Sequence, residues 1–223
     1  MSIFSERIKG FLGLSGPYSE AASYLASHDY NDEYIEMLRA ARENAKGKKR
    51  EEGTALIAQG LLFKGELKAA AEEFSACDPR KLPKSVGHIF VNNRILCLFL
   101  LDRFREADEV YREYNSLALG EKTVAMRRTI GIREHCAGRY ENAVEIFVKA
   151  LSAADRRHTV MVDLCLVRSM LRLDMYERAG EIAKKNFSAY YGKGELTALV
   201  KKAEMKIQTG ARSTFKGKKK KRK

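Results

Sequence analysis

The sequence predicts an all-α fold, a stacked array of about five helical hairpins. One short pattern occurs five times along the 223 residues, and successive copies begin 37, 37, 36 and 36 residues apart. A period of this length is typical of stacked helical hairpins. No stretch alternates apolar and polar residues as a half-buried strand does, and the chain contains only three prolines.

Each copy opens with an aromatic residue or Leu. A small residue usually follows three positions on, and a bulky residue usually follows seven positions on. The copies are Tyr30-Glu33-Met37, Leu67-Ala70-Phe74, Phe104-Ala107-Tyr111, Tyr140-Ala143-Phe147 and Tyr176-Ala179-Ala183. Each copy marks the second helix of a hairpin, so the array occupies residues 17–192. The predicted hairpins span about residues 18–46, 51–77, 85–117, 121–153 and 157–190.

An amphipathic helix is predicted in residues 1–16, ahead of the array. Its apolar residues share one helical face: Ile3, Phe4, Ile8, Phe11 and Leu12. We expect this helix to cover the first hairpin. Docking on a membrane surface or a partner is less favoured, because the polar face carries charges of both signs.

The turns inside the hairpins are short. Gly65, Asp102, Gly138 and Asp174 occupy equivalent positions in four of them. A helix that ends there adopts the left-handed conformation, which Gly reaches without steric cost and Asp tolerates. Residues 78–83 form the longest break and are interpreted as a loop between repeats.

The array is predicted to end in a covering helix at residues 193–210, followed by a disordered lysine-rich tail at residues 211–223. The terminal unit of a stack needs a half-polar face, and this helix has one. Its apolar residues recur at helical spacing: Leu196, Leu199, Val200, Ala203 and Ile207.

The formal net charge is +13, and seven basic residues lie in residues 216–223 alone. The remaining 215 residues carry +6, so the body of the chain is only mildly basic. The four cysteines lack a CxxC spacing, which favours a reducing compartment. Charged residues interrupt the N-terminal apolar stretch, and the longest apolar run, residues 95–101, is far shorter than a membrane span. These features predict a soluble cytoplasmic protein.

The repeats resemble the tetratricopeptide repeat (TPR) family. The second copy matches the family pattern through Ala58, Leu61, Gly65, Ala70, Phe74 and Cys77, and the fourth through Gly131, Gly138, Tyr140, Ala143, Phe147 and Ala150. Ala or Gly lets the two helices of a hairpin touch, while the aromatic ring fills the space opposite. The resemblance covers about residues 18–190, and Glu33 departs from it. It implies a right-handed superhelical solenoid with covering helices at its ends.

The resemblance also implies a concave groove, lined by the first helix of each hairpin, that binds a partner peptide or helical segment. The groove residues it implies are Gln59, Phe63, Asn92, Asn93, Leu96, Phe99, Leu100, Arg128, Ile132, His135, Leu164, Arg168 and Arg172. The middle of this groove is apolar and its C-terminal end basic, which fits a partner with apolar anchors and acidic flanks. Arg128, Arg168 and Arg172 are the preferred contacts, because Arg pairs with a carboxylate through two hydrogen bonds. The alternative is that these arginines are merely solvated and that Leu96 and Phe99 pack under a neighbouring helix.

One TPR subset clamps the C-terminal carboxylate of chaperones. Only Asn93 matches one of its five positions, and Ala55, Gln59, Ala125 and Thr129 occupy the other four. The sequence therefore argues against a standard chaperone clamp.

The lysine-rich tail can bind polyanions such as RNA or the ribosome through phosphate contacts. Its basic residues are Lys216, Lys218, Lys219, Lys220, Lys221, Arg222 and Lys223. In a eukaryote the same run is typical of a nuclear import signal. The alternative is a solvated tail that aids solubility.

No catalytic set is predicted, and we expect no enzyme, metal or cofactor. The four histidines are dispersed, and the sequence contains no glycine-rich phosphate loop, GxSxG or HExxH motif. The function expected is therefore a non-catalytic scaffold or adaptor that binds a protein segment in the groove. The alternative is an RNA- or ribosome-associated factor tethered by its basic tail. Self-association through the superhelix is a third possibility, and the oligomeric state stays open.

Overall fold

The computed structural model describes residues 32–120, 122–152 and 161–220, except the side chains of residues 33–34 and 212–220. Every regular element in these ranges is helical, which confirms the all-α class. The predicted helices at residues 1–16 and 18–28 and the last three residues of the tail lie outside the described residues. The chain divides into two compact units, residues 1–122 and 123–223.

Unit 1, residues 1–122, contains six α-helices and one 3-10 turn in its described part. They are α1 (Asp32–Glu43), α2 (Lys48–Lys64), α3 (Leu67–Ser75), the 3-10 turn Pro79–Lys81, α4 (Lys84–Leu100), α5 (Phe104–Glu113) and α6 (Asn115–Ala118). The helix predicted at residues 104–117 divides at Tyr114 into α5 and α6. The break predicted at residues 78–83 contains the 3-10 turn, whose first amide is capped by the Asp78 carboxylate.

Helices that follow one another in the sequence pack together in unit 1, including α3 and α4, which the 3-10 turn separates along the chain. In addition, α2 contacts α4, so first helices of successive hairpins also touch. Phe74 of α3 packs against Phe90 of α4, and the two ring centroids lie 5.0 Å apart in an edge-on arrangement. Phe74 is fully buried, and its large apolar surface makes this contact a main source of stability.

Unit 2, residues 123–223, contains five α-helices and one 3-10 turn in its described part. They are α7 (Val124–Cys136), α8 (Tyr140–Ser152), α9 (Val162–Arg172), α10 (Tyr176–Asn186), the 3-10 turn Phe187–Tyr190 and α11 (Gly194–Lys220). Residues 157–160 of the helix predicted at 157–173 lie outside the described residues. Helix α11 is longer than predicted and continues through residues 211–220, where a disordered tail was expected. No proline interrupts this segment.

The helices of unit 2 pack in the same sequential manner as those of unit 1. Helix α9 contacts α8 and α10, and it also contacts α7 and α11. Phe147 of α8 and Phe187 are fully buried in this core. Helix α11 lies against α9 and α10 through Leu196, Val200 and Ala203, which are buried while the lysines between them are exposed.

The four predicted turns share one backbone geometry. The φ angles of Gly65, Asp102, Gly138 and Asp174 are 88°, 61°, 76° and 54°, which is the left-handed conformation that the sequence predicts. In each turn the next residue donates its amide to the carbonyl five residues earlier, at 2.9, 2.9, 2.9 and 3.0 Å respectively. This bond belongs to the Schellman ending of a helix. The four turns lie 37, 36 and 36 residues apart, so the structural repeat has the period of the sequence repeat.

The helices of the fourth predicted hairpin approach each other at Gly131. A Cβ atom on Gly131 would lie 2.5 Å from Cε1 of the Phe147 ring, which is closer than real Cβ contacts allow. Glycine is therefore required where α7 meets this ring. The contact has the form that the resemblance implies, a small residue opposite a bulky aromatic.

Candidate interaction surfaces

The structure buries most of the predicted groove residues of unit 1. Asn92, Asn93, Leu96, Phe99 and Leu100, all on α4, are between 0% and 4% exposed. This corrects the prediction that they form an open surface, and it agrees with the alternative that Leu96 and Phe99 pack under neighbouring helices. The physical reason is that α4 is apolar nearly all round, and such a helix is buried on every side.

Two predicted groove residues of unit 1, Gln59 and Phe63 of α2, are half-buried. Gln59 meets Asn93 at a cleft between α2 and α4 that holds about 10 Å³. That volume is about enough for one water molecule and too small for a side chain. The predicted groove is therefore closed at this point.

Asn92 uses its polar group inside the unit. Its side-chain amide donates to the carbonyl oxygens of His88 at 2.8 Å and Ala118 at 3.2 Å. The His88 ring nitrogen Nδ1 lies 2.9 Å from the carbonyl oxygen of Leu117. These bonds join α4 to α6, and they satisfy polar groups that would be costly to bury alone.

The predicted groove residues of unit 2 divide between the interior and the surface. Arg128, Ile132, His135 and Leu164 are at most 7% exposed, which corrects the prediction that they face a partner. Burial lowers the pKa of the Arg128 guanidinium to about 10. The His135 ring nitrogen Nδ1 lies 2.8 Å from the Ser169 hydroxyl. These four predicted groove residues therefore lie in the interior of unit 2, although their residue types suit a binding surface.

Arg168 and Arg172 of α9 keep solvent access. Arg168 is half-buried, and Arg172 is exposed with its guanidinium 5.1 Å from the centroid of the Tyr140 ring. A cation over an aromatic face is held by the ring quadrupole. Of the three preferred arginines, Arg172 is therefore the most available to a partner, and its position is already partly fixed.

A cleft that the sequence did not predict lies at the end of unit 2, between α9, α10 and α11. It holds about 500 Å³ and is lined by Leu171, Tyr176, Met205, Lys206, Thr209 and Gly210. We call it the terminal cleft. Met205 is 66% exposed, the most exposed of the large apolar residues in the described part of the chain. No local signal marks Met205, because it stands among lysines on the polar side of its helix.

Gly210 sets the shape of the terminal cleft. A Cβ atom at this position would lie 2.2 Å from Cε1 of the Tyr176 ring, so only glycine lets α11 pass so close to α10. The Tyr176 hydroxyl donates to the Asp174 carboxylate, which orients the ring. One wall of the cleft is therefore fixed by backbone contact.

Charge is divided unequally between the two units. Residues 1–122 contain 18 Lys and Arg against 19 Asp and Glu, whereas residues 123–223 contain 24 against 10. The net charges are −1 and +14, so the net positive charge of the chain lies in unit 2. The tail does not supply all of this charge, because unit 2 without the seven basic residues of 216–223 still carries +7.

Three lysines of α11, Lys201, Lys202 and Lys206, are exposed. We call them the lysine face. None of them has a carboxylate within 4.0 Å among the described residues, whereas Arg139 pairs with Glu134 and Lys149 pairs with Glu145 in the same unit. Lys216, Lys218, Lys219 and Lys220, predicted to lie in a disordered tail, belong to the helical backbone of α11.

The described residues contain no cluster of His, Cys, Asp or Glu that could hold a metal ion, and no helix there is long and apolar enough to cross a membrane. Cys77, Cys97 and Cys165 are buried. Burial raises the pKa of the Cys165 thiol to about 12, which keeps it protonated and unreactive at neutral pH.

Comparison of the chain with protein-family models, with curated proteins and with solved structures gave no match.

Proposed function

We propose that this chain is a TPR-like helical-repeat protein that acts as a non-catalytic adaptor, holding an acidic partner segment in the terminal cleft. The observation that supports the repeat class best is the set of four equivalent turns at Gly65, Asp102, Gly138 and Asp174. They have the same φ region, the same closing hydrogen bond and the period of the sequence repeat.

Two further contacts support the TPR-like class. The close approach of Gly131 to Phe147 places a small residue opposite an aromatic ring, as the family pattern requires. The first helices of neighbouring hairpins also touch, α2 with α4 and α7 with α9. Repeat arrays of this kind expose extended surfaces and bind other proteins through them.

The terminal cleft is the surface that best fits a protein segment. Its lining combines apolar groups from Leu171, Tyr176 and Met205 with the ammonium group of Lys206. Exposed apolar side chains in a concave site suit an anchoring residue of a partner, and the lysine suits a neighbouring carboxylate. Arg172, exposed and next in sequence to Leu171, adds a second cation at this end of α9.

In this proposal the terminal cleft takes the place of the middle of the predicted groove, and it offers the same combination of apolar and basic side chains. Leu96, Phe99 and Arg128 are at most 2% exposed, so a partner could reach them only after the helices separate. Reversing the charge of Arg128 would damage the core and could not test binding. Partner contact at Gln59, Phe63, Arg168 and Arg172 stays a prediction.

The experiment is selection of binders from a displayed random peptide library, using the full chain as target. We expect enriched peptides with one large apolar residue beside two or more acidic ones. The double variant Met205→Asp/Lys206→Glu should weaken the selected peptides about tenfold or more, a loss of at least about 1.4 kcal/mol. Fluorescence anisotropy with one labelled peptide gives the dissociation constants.

The matched control is Met37→Asp/Lys49→Glu, which changes an exposed Met and an exposed Lys of unit 1 in the same way. It should leave peptide affinity unchanged. Selected peptides that bind the terminal-cleft variant as tightly as the wild type would contradict the site, and a selection without any enriched sequence would contradict the adaptor function.

A further inference from the structure

We infer that α11 binds the phosphodiester backbone of a nucleic acid through the lysine face together with its lysine-rich end. The sequence alone assigns polyanion binding to residues 216–223. The structure adds folded residues to that surface, because the helix that carries Lys201 and Lys202 continues without interruption to Lys220. This surface shares Lys206 with the terminal cleft, the site proposed for a protein partner, and extends beyond it along α11.

The first argument is the amount of charge along one element. Helix α11, residues 194–220, contains eight Lys and Arg residues against two Glu, a net charge of +6. One of the two carboxylates, Glu204, accepts hydrogen bonds from the Tyr191 hydroxyl at 2.7 Å. The helix therefore carries an excess of positive charge, and a polyanion that neutralises it releases counterions and gains affinity.

The second argument is that this charge is not used inside the protein. In unit 1 many basic residues pair with carboxylates, as Arg103 does with Glu106 and Lys81 with Glu51. On α11, in the described residues, Lys201 and Lys202 have no carboxylate within 4.0 Å. Unpaired exposed cations of one sign raise the local potential and attract anionic ligands from a distance.

The third argument is length. The 27 residues of α11 span about 40 Å at about 1.5 Å per residue. After Lys206 the helix continues with Arg212, Lys216 and the lysines of residues 218–220, so basic residues recur along α11 from Lys201 to its end. A row of basic residues of this length along the sequence matches an extended ligand with repeated negative charge, as a nucleic acid backbone is.

A membrane surface fits α11 less well. An interfacial helix inserts its apolar face among the lipids. The apolar face of α11 is occupied, because Leu196, Val200 and Ala203 are buried in unit 2. A short acidic peptide also fits less well, since it would cover only part of the row.

The test uses the full chain with two labelled probes, a 30-nucleotide single-stranded RNA and a 30-base-pair DNA duplex, titrated between about 50 and about 200 mM salt. Lys201→Glu/Lys202→Glu should weaken binding about tenfold or more, and its salt slope should fall by about 1.4 for the single strand, about 0.7 for each lost phosphate contact. Lys201→Ala/Lys202→Ala should show a smaller change in the same direction. Lys206 is left intact, because it also lines the terminal cleft.

Two further variants complete the design. Lys46→Glu/Lys49→Glu alters two exposed lysines beside the start of α2 in unit 1 and should leave binding close to that of the wild type. Replacing the seven basic residues of 216–223 by Ser should weaken binding without abolishing it, since Lys201 and Lys202 remain. Circular dichroism verifies the helix content of each variant.

Tighter binding of the RNA or of the duplex supports the inference in either case and identifies the nucleic acid. The inference fails if neither probe binds at about 50 mM salt. It fails equally if the serine variant loses all binding while Lys201→Glu/Lys202→Glu loses none, because the tail alone would then be the site. Tighter binding to polyglutamate, or to vesicles of phosphatidylcholine with 30% phosphatidylserine, would also overturn it.

Discussion

Unit 1 and unit 2 are built with the same turns but present different surfaces. Gly65 and Asp102 of unit 1 have the same backbone geometry as Gly138 and Asp174 of unit 2. Unit 1 is close to neutral, and many of its surface cations lie within 4.0 Å of a carboxylate, as Arg105 does with Glu109. Unit 2 carries the whole net positive charge of the chain. The repeat pattern thus specifies packing and leaves the surface free to differ.

The interiors differ as well. Unit 1 buries Asn92 and His88, which are tied to backbone carbonyls, together with one carboxylate, Glu52. Unit 2 buries Arg128 and Asp163. Burying an ionisable group is costly, since charge loses more hydration than an amide does. We therefore expect the stability of both units to depend on pH, through different groups.

The largest expected effect comes from removing the central aromatic of either unit. Phe74→Ala in unit 1 and Phe147→Ala in unit 2 should each cost about 3–5 kcal/mol of unfolding free energy, because each leaves a cavity at a fully buried position. Hydrogen exchange followed by mass spectrometry locates the damage. Protection should fall in residues 48–100 for the first variant and in residues 124–207 for the second.

Equal loss of protection across both units from either substitution would contradict the division into two compact units. The control is Val148→Ala, which removes an exposed apolar side chain next to Phe147. It should change stability by no more than about 0.5 kcal/mol.

An effect of intermediate size is expected at the close contact between α7 and α8 in unit 2. In Gly131→Ala the new methyl meets the Phe147 ring, and such overpacking costs about 1–3 kcal/mol. This outweighs the roughly 1 kcal/mol that Ala gains over Gly inside a helix. Urea denaturation measures the difference. The equivalent position of unit 1 already holds Ala58, so its hairpin accommodates the methyl group.

Gly180→Ala is the matched control in the same unit, because its nearest atom, Cγ2 of Ile207, would lie at an ordinary 3.4 Å. It should stabilise the protein slightly. Phe147→Leu should recover part of the cost in the Gly131→Ala background by making room. If Gly131→Ala were as stable as the wild type, the Phe147 ring would not require glycine at this position.

The smallest expected effect is a difference in pH dependence between the units. Burial raises the pKa of Asp163 in unit 2, although hydrogen bonds from the Tyr190 hydroxyl at 2.6 Å and the Leu164 amide at 2.9 Å oppose the change. Because the folded-state pKa is raised, Asp163 contributes to stability below the usual Asp pKa. This stabilisation is lost as the pH rises through the folded-state pKa. Relative to Asp163→Asn, the wild type should therefore lose stability as pH rises from about 3 to about 7.

Glu51 of unit 1 supplies the opposite case. Burial alone would raise its pKa, but the hydrogen bond from Lys81 at 3.0 Å and the one from the Asp78 amide lower it. Glu51 therefore contributes to stability above the usual Glu pKa, and this stabilisation is lost as the pH falls through its folded-state pKa. Relative to Glu51→Gln, the wild type should thus gain stability over the same pH rise. Urea denaturation at intervals of one pH unit measures the stability difference between the wild type and each variant. If both differences changed with pH in the same direction, the contrast between the units would be contradicted.

Much of the local structure could be predicted from the sequence. Helix positions, the turns at Gly65 and Gly138, and even the left-handed Asp102 and Asp174 depend on interactions within a few residues. Such interactions are written in residue type and spacing. Two local features were not predicted: the division of α5 from α6 at Tyr114 and the extension of α11 beyond residue 210. No clear helix-breaking or helix-starting residue marks either of them.

The candidate sites were less predictable. Arg172 was named from its position in the repeat and is exposed, whereas Arg128 was named by the same reasoning and is buried. Spacing places both residues on the first helix of a hairpin but does not reveal what covers that helix. The terminal cleft was missed altogether, because Met205 is distant in sequence from Leu171 and Tyr176 and meets them only when three helices pack.

The sequence by itself determined the helical class, the period and the turns, because those follow from backbone conformation and from contacts between near neighbours. It also determined the charge of every segment, although the boundary between the two units came from the structure. Only the tertiary structure decided which of these side chains can be reached: it covered α4, enclosed Arg128, and left Met205 and the lysine face open. Exposure is a property of how distant segments pack, and no single segment encodes it.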